Sequence, residues 1–357
     1  MSRSLRLRLG TIVARCWVVP LIACGSSQDG AHGHDGESSH ASHAAQVRAE
    51  LDPVTRAAGL LAREGCSSDP TNDPARQPVP TWSVRREAGG NSMPAVFDVV
   101  LYTAHPDDEA MYVGGTMGRL VGAGRRVGFV TLSHGEGGRL LERAADGTSV
   151  ERRDYPRSHV IEVRDREIAD AAGRARVAFA HVYPGDADVD YAWTTSCEDT
   201  LVHWQATLPD GIVGALRRLV ADLRVRRPRV VITLDPHDDP QASHHGHHKA
   251  AGVLVEAAAR LAADPRVRDG AEPHVIEELL TCAPQGLPID QTVSVPVDVS
   301  ARLRMLSAYA SQFLPETLAV DPVAQRPNEQ FVLRWRATGA PATREGSRLL
   351  DLVRGVP

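Results

Sequence analysis

The residues best suited to chemistry are the seven from Thr103 to Glu109, which read Thr-Ala-His-Pro-Asp-Asp-Glu. One imidazole and three carboxylates stand within five positions, and such crowding of negative charge is costly unless a cation neutralises it. His105 and Asp108 are side-chain types that bind divalent metals, and Asp107 could then act as a base beside the metal. The alternative is an acidic first turn of a helix, which explains the carboxylates but gives His105 no role.

The flanking patterns place this stretch at the turn from a strand to a helix. Residues 97–103 are rich in Val and Leu and predict a buried strand. Residues 110–123 carry Met, Val and Leu at helical intervals. Binding sites of open α/β sheets lie where strands end and helices begin, so this turn is a natural position for a site.

A second group of metal-type residues follows another apolar strand, predicted over residues 229–234. Four histidines stand within the stretch His244-His245-Gly246-His247-His248. His245 and His248 are three positions apart and share a face if a helix begins here. Neighbouring strands would bring this group and the first motif to one crevice. Two such clusters at equivalent strand ends are less expected by chance than either alone.

The remaining pattern alternates between strands and helices. Further helices are predicted over residues 158–173, 211–226, 245–262 and 300–312, with a short one at 53–64; further strands are predicted at 126–132, 175–182, 274–282 and 291–297. Alternation of this kind implies an α/β fold with a Rossmann-like, mostly parallel sheet flanked by helices. The main domain is predicted to span residues 93–357, after a signal at 1–24 and a tether and linker at 25–92.

The composition sets broad limits on function. The chain has 357 residues and a net charge of −5, enough for one large domain or two small ones. Arginines are scattered and lysine is nearly absent, so nothing indicates nucleic-acid binding.

The N-terminus has the features of an export signal. Arg3, Arg6 and Arg8 give a basic start, and residues 16–23 supply a short apolar core. Leu21-Ile22-Ala23-Cys24 resembles the lipobox of bacterial lipoproteins, in which the cysteine is lipidated. This resemblance implies an extracytoplasmic, membrane-anchored lipoprotein of the cell envelope. The alternative is a disordered extension or a wrongly chosen start codon. The His-, Gly- and Ser-rich residues 25–47 are predicted to be a spacer, with zinc scavenging as a second possibility.

Three cysteines remain after the signal, namely Cys66, Cys197 and Cys282. In an oxidising compartment they allow one disulfide and one spare thiol, and the sequence leaves the pairing open.

Taken together, the motifs resemble those of the LmbE-like (PIG-L) family of zinc-dependent de-N-acetylases. Thr103–Glu109 contains that family's Ala-His-Pro-Asp-Asp-Glu signature, and His245-Gly246-His247-His248 is similar to its downstream His-Pro-Asp-His motif. The Gly-Glu-Gly at 135–137, the Arg-x-x-Glu at 164–167 and the Ala-x-x-Ser-Gln at 308–312 also fit. The resemblance covers roughly residues 95–315 and implies an LmbE-like fold.

The resemblance also implies a metal site. His105, Asp108 and His248 would be zinc ligands, and two nitrogens and one carboxylate with an open position are typical of a catalytic zinc. Asp107 would be the general base that activates water. His245 would stabilise the oxyanion or protonate the leaving amine.

Arg164 is the residue that the resemblance implies for binding a sugar hydroxyl. An ion pair along its own helix with Glu167 is an equally good interpretation of the sequence.

The second motif departs from the family pattern. The usual Asp, expected to hold and polarise the catalytic His245, is His247 here, so Asp238 or Asp239 of the preceding loop could take that role. Gly246 replaces the usual Pro and loosens the turn. The clustered histidines also leave the register open, because His244 and His247 could form the pair instead of His245 and His248; the continuation Lys249-Ala250-Ala251 favours the latter.

The sequence therefore predicts a lipid-anchored, zinc-dependent amide hydrolase that removes an acetyl or other acyl group from an amino sugar or glycoconjugate. Two alternatives stay open. One is a non-catalytic surface lipoprotein that binds zinc or glycans, and the other is an amidase of the same fold that acts on a non-sugar amide.

Overall fold

Strands and helices alternate along the chain in the computed structural model, which describes residues 52–64, 96–181, 196–236, 245–283, 292–337 and 347–355. The strands are β1 (Phe97–Thr103), β2 (Val127–Thr131), β3 (Leu140–Arg143), β4 (Ser149–Arg152), β5 (Ala178–His181), β6 (Pro228–Thr233), β7 (Glu278–Cys282), β8 (Val293–Pro296) and β9 (Asn328–Arg336). The helices are α1 (Pro53–Glu64), α2 (Asp108–Gly122), α3 (Arg157–Ala175), α4 (Cys197–Thr207), α5 (Gly211–Arg226), α6 (Gly246–Ala262), α7 (Val299–Leu306), α8 (Pro315–Leu318), α9 (Pro322–Gln325) and α10 (Arg348–Val353).

Some predictions concern residues outside this described part of the chain, namely the signal sequence, the His-rich tether and the lipidated Cys24. Asp238, Asp239 and His244 also lie outside. The described residues all belong to the unit from Glu50 to Pro357.

Within the described residues, seven strands form the main sheet, in the order β5-β2-β1-β6-β7-β9-β8. The first five are parallel to one another, whereas β9 is antiparallel to both β7 and β8. Strands β2 and β7 are buried at every residue, and β1 at every residue except the first. Continuous burial is typical of parallel strands covered by helices, so the predicted α/β fold with a mostly parallel sheet is confirmed.

Helix α1 belongs to the packed core. Val54 and Ala58 are buried in the main hydrophobic cluster, and the helix contacts α5 and α6. The packed unit therefore includes residues that precede position 93, where the sequence pattern puts the start of the main domain.

The sequence pattern does not reveal β9, the β3–β4 hairpin or α4. Strand β9 contains Glu329 and Arg334, and charged residues are typical of a surface. Both are buried here, because Glu329 pairs with Arg302 at 2.7 Å and Arg334 pairs with Glu256 at 3.2 Å. The helix predicted at 300–312 is also shorter, since α7 ends at Leu306.

The described residues include two of the cysteines, Cys197 and Cys282. Cys197 is disulfide-bonded, and Cys282 is a free, buried cysteine at the end of β7. Cys66 lies outside the described residues.

Within the described part of the chain, no helix has the length and apolar character needed to cross a bilayer.

Two features bring the ends of β1 and β6 together with the start of α6. The strands are parallel neighbours, so both end at the same edge of the sheet. In α6, a Cβ added at Gly252 would lie 2.3 Å from the backbone oxygen of Leu234. Glycine at this position therefore lets α6 pack directly against the chain that leaves β6, and this packing fixes the histidines in its first turn.

Candidate metal centre and active site

The first motif forms the turn between β1, which ends at Thr103, and α2, which begins at Asp108. Asp107 precedes the helix with φ 107° and ψ −29°. Positive φ is uncommon for residues other than glycine, and strained backbone of this kind clusters at functional sites. The conformation needs support from the surrounding side chains.

Three side chains supply this support. The Asp107 amide donates to Glu109 Oε2 at 3.0 Å, and the Tyr309 hydroxyl donates to the other oxygen of Glu109. Arg164 Nη2 donates to the Pro106 carbonyl and to Asp107 Oδ2, the latter at 3.2 Å. Both the backbone and the carboxylate of Asp107 are therefore held in place by neighbouring side chains.

The environment gives the three acidic groups different proton affinities. Burial raises the pKa of Glu109 to about 8. Burial also raises the pKa of Asp107 to about 6, against the opposing charge of Arg164 and with a further contribution from Asp108. Burial alone would raise the pKa of Asp108 too, but the imidazoles of His248 and His105 hold it well below its ordinary value. Asp108 is thus suited to binding a cation and Asp107 to exchanging a proton.

The structure brings the residues predicted as metal ligands together. Asp108 Oδ1 lies 3.0 Å from His248 Nε2, and Asp108 Oδ2 lies 3.5 Å from His105 Nδ1. His105, His245 and His248 are buried, with one ring nitrogen of each within 4.8 Å of the others. Imidazole nitrogens together with a carboxylate oxygen form a donor set that zinc binds well, so the residues present fit a zinc ion.

His245 and His247 complete the cluster. The His245 ring centroid lies 4.0 Å from that of His248 and 5.0 Å from that of His105. Burial, followed by the charges of the neighbouring imidazoles, lowers the pKa of His245 far below its ordinary value. His247, which stands where the family has Asp, has Nδ1 2.9 Å from His105 Nε2.

The two charged residues of the Arg-x-x-Glu motif contact different groups. Arg164 is buried and contacts Asp107, as described above, while Glu167 accepts hydrogen bonds from the amide and hydroxyl of Ser311 at 2.7 and 2.6 Å. Gly135 has φ 68°, and a Cβ there would lie 3.2 Å from Arg164 Nε. The Gly-Glu-Gly and Ala-x-x-Ser-Gln segments therefore pack around this helix.

Two residues near the site, Tyr309 and His134, are hard to recognise from the sequence. Tyr309 reaches Glu109 across 200 positions, and no local pattern connects them. His134 follows β2, and its Nδ1 lies 2.6 Å from Asp165 Oδ1 on α3. Its position at a strand end beside the Gly-Glu-Gly segment is the signal that could have singled it out.

A buried cluster of imidazoles and carboxylates at the strand ends of an α/β sheet is the type of site that metal-dependent enzymes use. The family model PIG-L, described as GlcNAc-PI de-N-acetylase, matches residues 100–259. Over that segment the chain is similar to the PIG-L family, which agrees with the resemblance of its motifs.

Two relatives are similar to a larger part of this chain. A 1D-myo-inositol 2-acetamido-2-deoxy-alpha-D-glucopyranoside deacetylase of Streptomyces griseus is 28% identical over 309 residues, covering 72% of this chain and 89% of that protein. A protein of the same name from Thermomonospora curvata is 26% identical over 259 residues, covering 70% and 82%. The similarity therefore extends over most of the length of both relatives.

Two solved structures are also similar to this chain. A conserved protein of Thermus thermophilus has a TM-score of 0.48 and 23% identity, covering 69% of this chain and 96% of that protein. The N,N'-diacetylchitobiose deacetylase of Pyrococcus horikoshii has a TM-score of 0.49 and 17% identity, covering 66% and 84%.

The strained backbone at Asp107 can be tested with two variants that both remove its carboxylate. Glycine adopts positive φ freely, whereas alanine there costs about 1 kcal/mol. We expect Asp107→Gly to have a free energy of unfolding about 1 kcal/mol higher than that of Asp107→Ala, measured by denaturant titration.

The same pair of substitutions at Asp170, an exposed position inside α3, is the matched control. There alanine should be the more stable variant, because glycine is unfavourable in helix interiors. The same order of stability at both positions would contradict the account of Asp107.

Proposed function

We propose that the protein is a zinc-dependent hydrolase that removes the N-acetyl group of an amino sugar. The observation that carries this proposal is the position of Asp108, whose two carboxylate oxygens approach the imidazoles of His105 and His248. Asp107 lies next to it with a pKa raised to about 6. A metal-binding group and a base side by side are what amide hydrolysis by activated water requires.

His105, Asp108 and His248 are the residues we propose to hold the zinc. Two nitrogens and one carboxylate leave a position for water, as in catalytic zinc sites. When bound, zinc supplies Lewis-acid chemistry that lowers the pKa of water from about 16 towards about 7.

The chain's own residues then accept and donate the protons. Asp107 accepts a proton from the attacking water as the water oxygen bonds to the amide carbon. The carbon–nitrogen bond breaks, a proton passes to the leaving nitrogen, and the products are acetate and a free amine. His245 either donates an N–H to the oxyanion or delivers the proton to the amine, as its place beside the ligand histidines allows.

The substrate class follows from the relatives. Both deacetylases described above are named for a 2-acetamido-2-deoxy-glucopyranoside joined to inositol. We therefore propose an N-acetylated 2-amino sugar, free or within a glycoconjugate, as the substrate. We also propose that Arg164, which holds Asp107, contributes to binding a sugar hydroxyl.

We propose that the protein works outside the cytoplasm, anchored to the membrane through lipidated Cys24. Two observations support this location. The lipobox-like residues 21–24 end the N-terminal apolar segment, and Cys197 is disulfide-bonded, a modification that persists in oxidising compartments.

Removal of metal tests the proposed reaction directly. Dialysis against a chelator should abolish acetate release from N-acetylglucosamine-type amides, and added zinc should restore it, because the residues of the site need the ion to activate water. Circular dichroism of the metal-free protein is the control for folding. Full activity in folded, verifiably metal-free protein would contradict the proposal.

Substitution of Asp107 tests its role as the base. Asp107→Asn should lower kcat roughly 10²- to 10⁴-fold, the usual contribution of general-base catalysis, while the bound zinc measured by elemental analysis stays the same. Asp170→Asn, an exposed substitution of the same kind, should leave kcat unchanged. Loss of zinc from Asp107→Asn would mean that Asp107 is a ligand and that its role is misassigned.

The proposed anchor can be tested in cells that lipidate exported proteins. Cys24→Ser should move the protein from the membrane fraction to the supernatant, since the serine hydroxyl cannot replace the thiol in lipidation. Cys16→Ser, within the same N-terminal segment, should leave the protein in the membrane fraction. Identical fractionation of the two variants would rule out Cys24 as the anchor.

A further inference from the structure

His247 stands where the family has an aspartate, and its side chain is turned towards a proposed metal ligand. It is 1% exposed, and its Nδ1 lies 2.9 Å from His105 Nε2. Its ring packs beside the buried Trp204, with 6.1 Å between the ring centroids. The residue is thus fixed against His105 rather than exposed to the crevice.

The two ring nitrogens of His105 face different side chains. Nε2 faces His247, whereas Nδ1 faces Asp108, 3.5 Å from Oδ2. An imidazole binds a metal through its unprotonated nitrogen, and its other nitrogen carries a hydrogen that needs an acceptor. His247 Nδ1 is in position to be that acceptor.

We propose that His247 is a positioning residue that accepts the Nε2–H of His105 and so fixes the tautomer in which His105 Nδ1 binds the metal. The inference rests on the proposed function, because it takes His105 as a ligand. According to this inference His247 orients the ligand His105, whereas the family pattern would have residue 247 orient the catalytic His245.

The stereochemistry of the two side chains explains how histidine can stand in this position. In aspartate the Oδ atoms, and in histidine the Nδ1 atom, are bonded to Cγ, so both lie the same number of bonds from the backbone. Histidine therefore keeps an acceptor where aspartate would have one, but removes the negative charge. Outer carboxylates raise the basicity of a ligand imidazole, so a neutral acceptor gives a metal site of similar geometry and weaker affinity.

The position of His247 makes it a partner of His105 and not a ligand itself. The 2.9 Å separation of the two ring nitrogens is within the ordinary range for hydrogen bonds. His247 contacts Nε2 of His105, whereas Asp108, a proposed ligand, lies beside Nδ1 of the same ring. A metal bound by Asp108 and His105 Nδ1 would therefore lie on the other side of the His105 ring from His247.

Zinc affinity of the full-length protein, measured by competition with a chromophoric chelator, is the first test. His247→Ala should bind zinc about 10- to 100-fold more weakly, the usual cost of losing an outer partner. His247→Asn keeps a neutral acceptor and should stay within a few-fold of wild type. His247→Asp adds charge and should bind at least as tightly as wild type.

His274→Ala is the matched control. His274 is also buried, and its Nε2 is 2.7 Å from the Pro228 carbonyl oxygen at the opposite end of β6. Its substitution should lower the stability of the fold without changing zinc affinity. A general loss of packing would instead weaken zinc binding in both alanine variants, and that result would contradict the inference.

The tautomer itself can be observed by nitrogen NMR of the zinc-loaded protein labelled with ¹⁵N-histidine. The inference requires metal on Nδ1 and hydrogen on Nε2 of His105, with the His247 signals assigned from the His247→Asn variant. Metal on Nε2 of His105, or on His247, would overturn it, as would unchanged affinity in His247→Ala. Wild-type protein that binds no zinc would instead refute the proposed function, and the inference with it.

Discussion

The site depends on one buried carboxylate, Asp108, that serves two imidazoles from distant parts of the chain. His105 precedes it by three positions, and His248 comes from the first turn of α6. A buried charge is costly unless it is paired and hydrogen-bonded. The main-chain amide of His105 also donates to Asp108 Oδ2 at 2.9 Å. Without these histidines the charge of Asp108 would be buried with fewer partners. The fold must therefore bring both histidines to Asp108.

The sheet and its neighbours meet this requirement by rigid packing. Parallel pairing of β1 with β6 brings the two motifs to one edge, and Gly252 lets α6 lie against the end of β6. Around Asp107, the contacts of Glu109 and Arg164 maintain a backbone conformation that is unfavourable by itself. The site is thus assembled from elements whose positions are fixed by the core, which keeps reacting groups in place.

The sequence was most informative where local pattern and burial agree. Strand β1 and helix α5 have the predicted bounds, because apolar runs and helical periodicity there coincide with the buried face. The pairing of the two motifs followed from a general rule about strand ends.

The sequence was least informative where the structure depends on contacts between distant residues. Strand β9 was missed because the partners of its buried charges, Arg302 and Glu256, lie on other elements. The link from Tyr309 to Glu109 and the orientation of His247 towards His105 are long-range in the same sense. Spacing along the chain contains no information about such contacts, so the residues that support the site could be found only in three dimensions.

The most direct test of the central claim is anomalous diffraction at the zinc edge from crystals of the zinc-loaded protein. The account predicts one strong peak within bonding distance of a ring nitrogen of His105, a ring nitrogen of His248 and an oxygen of Asp108. A zinc peak elsewhere, with these three side chains bound to no ion, would contradict it.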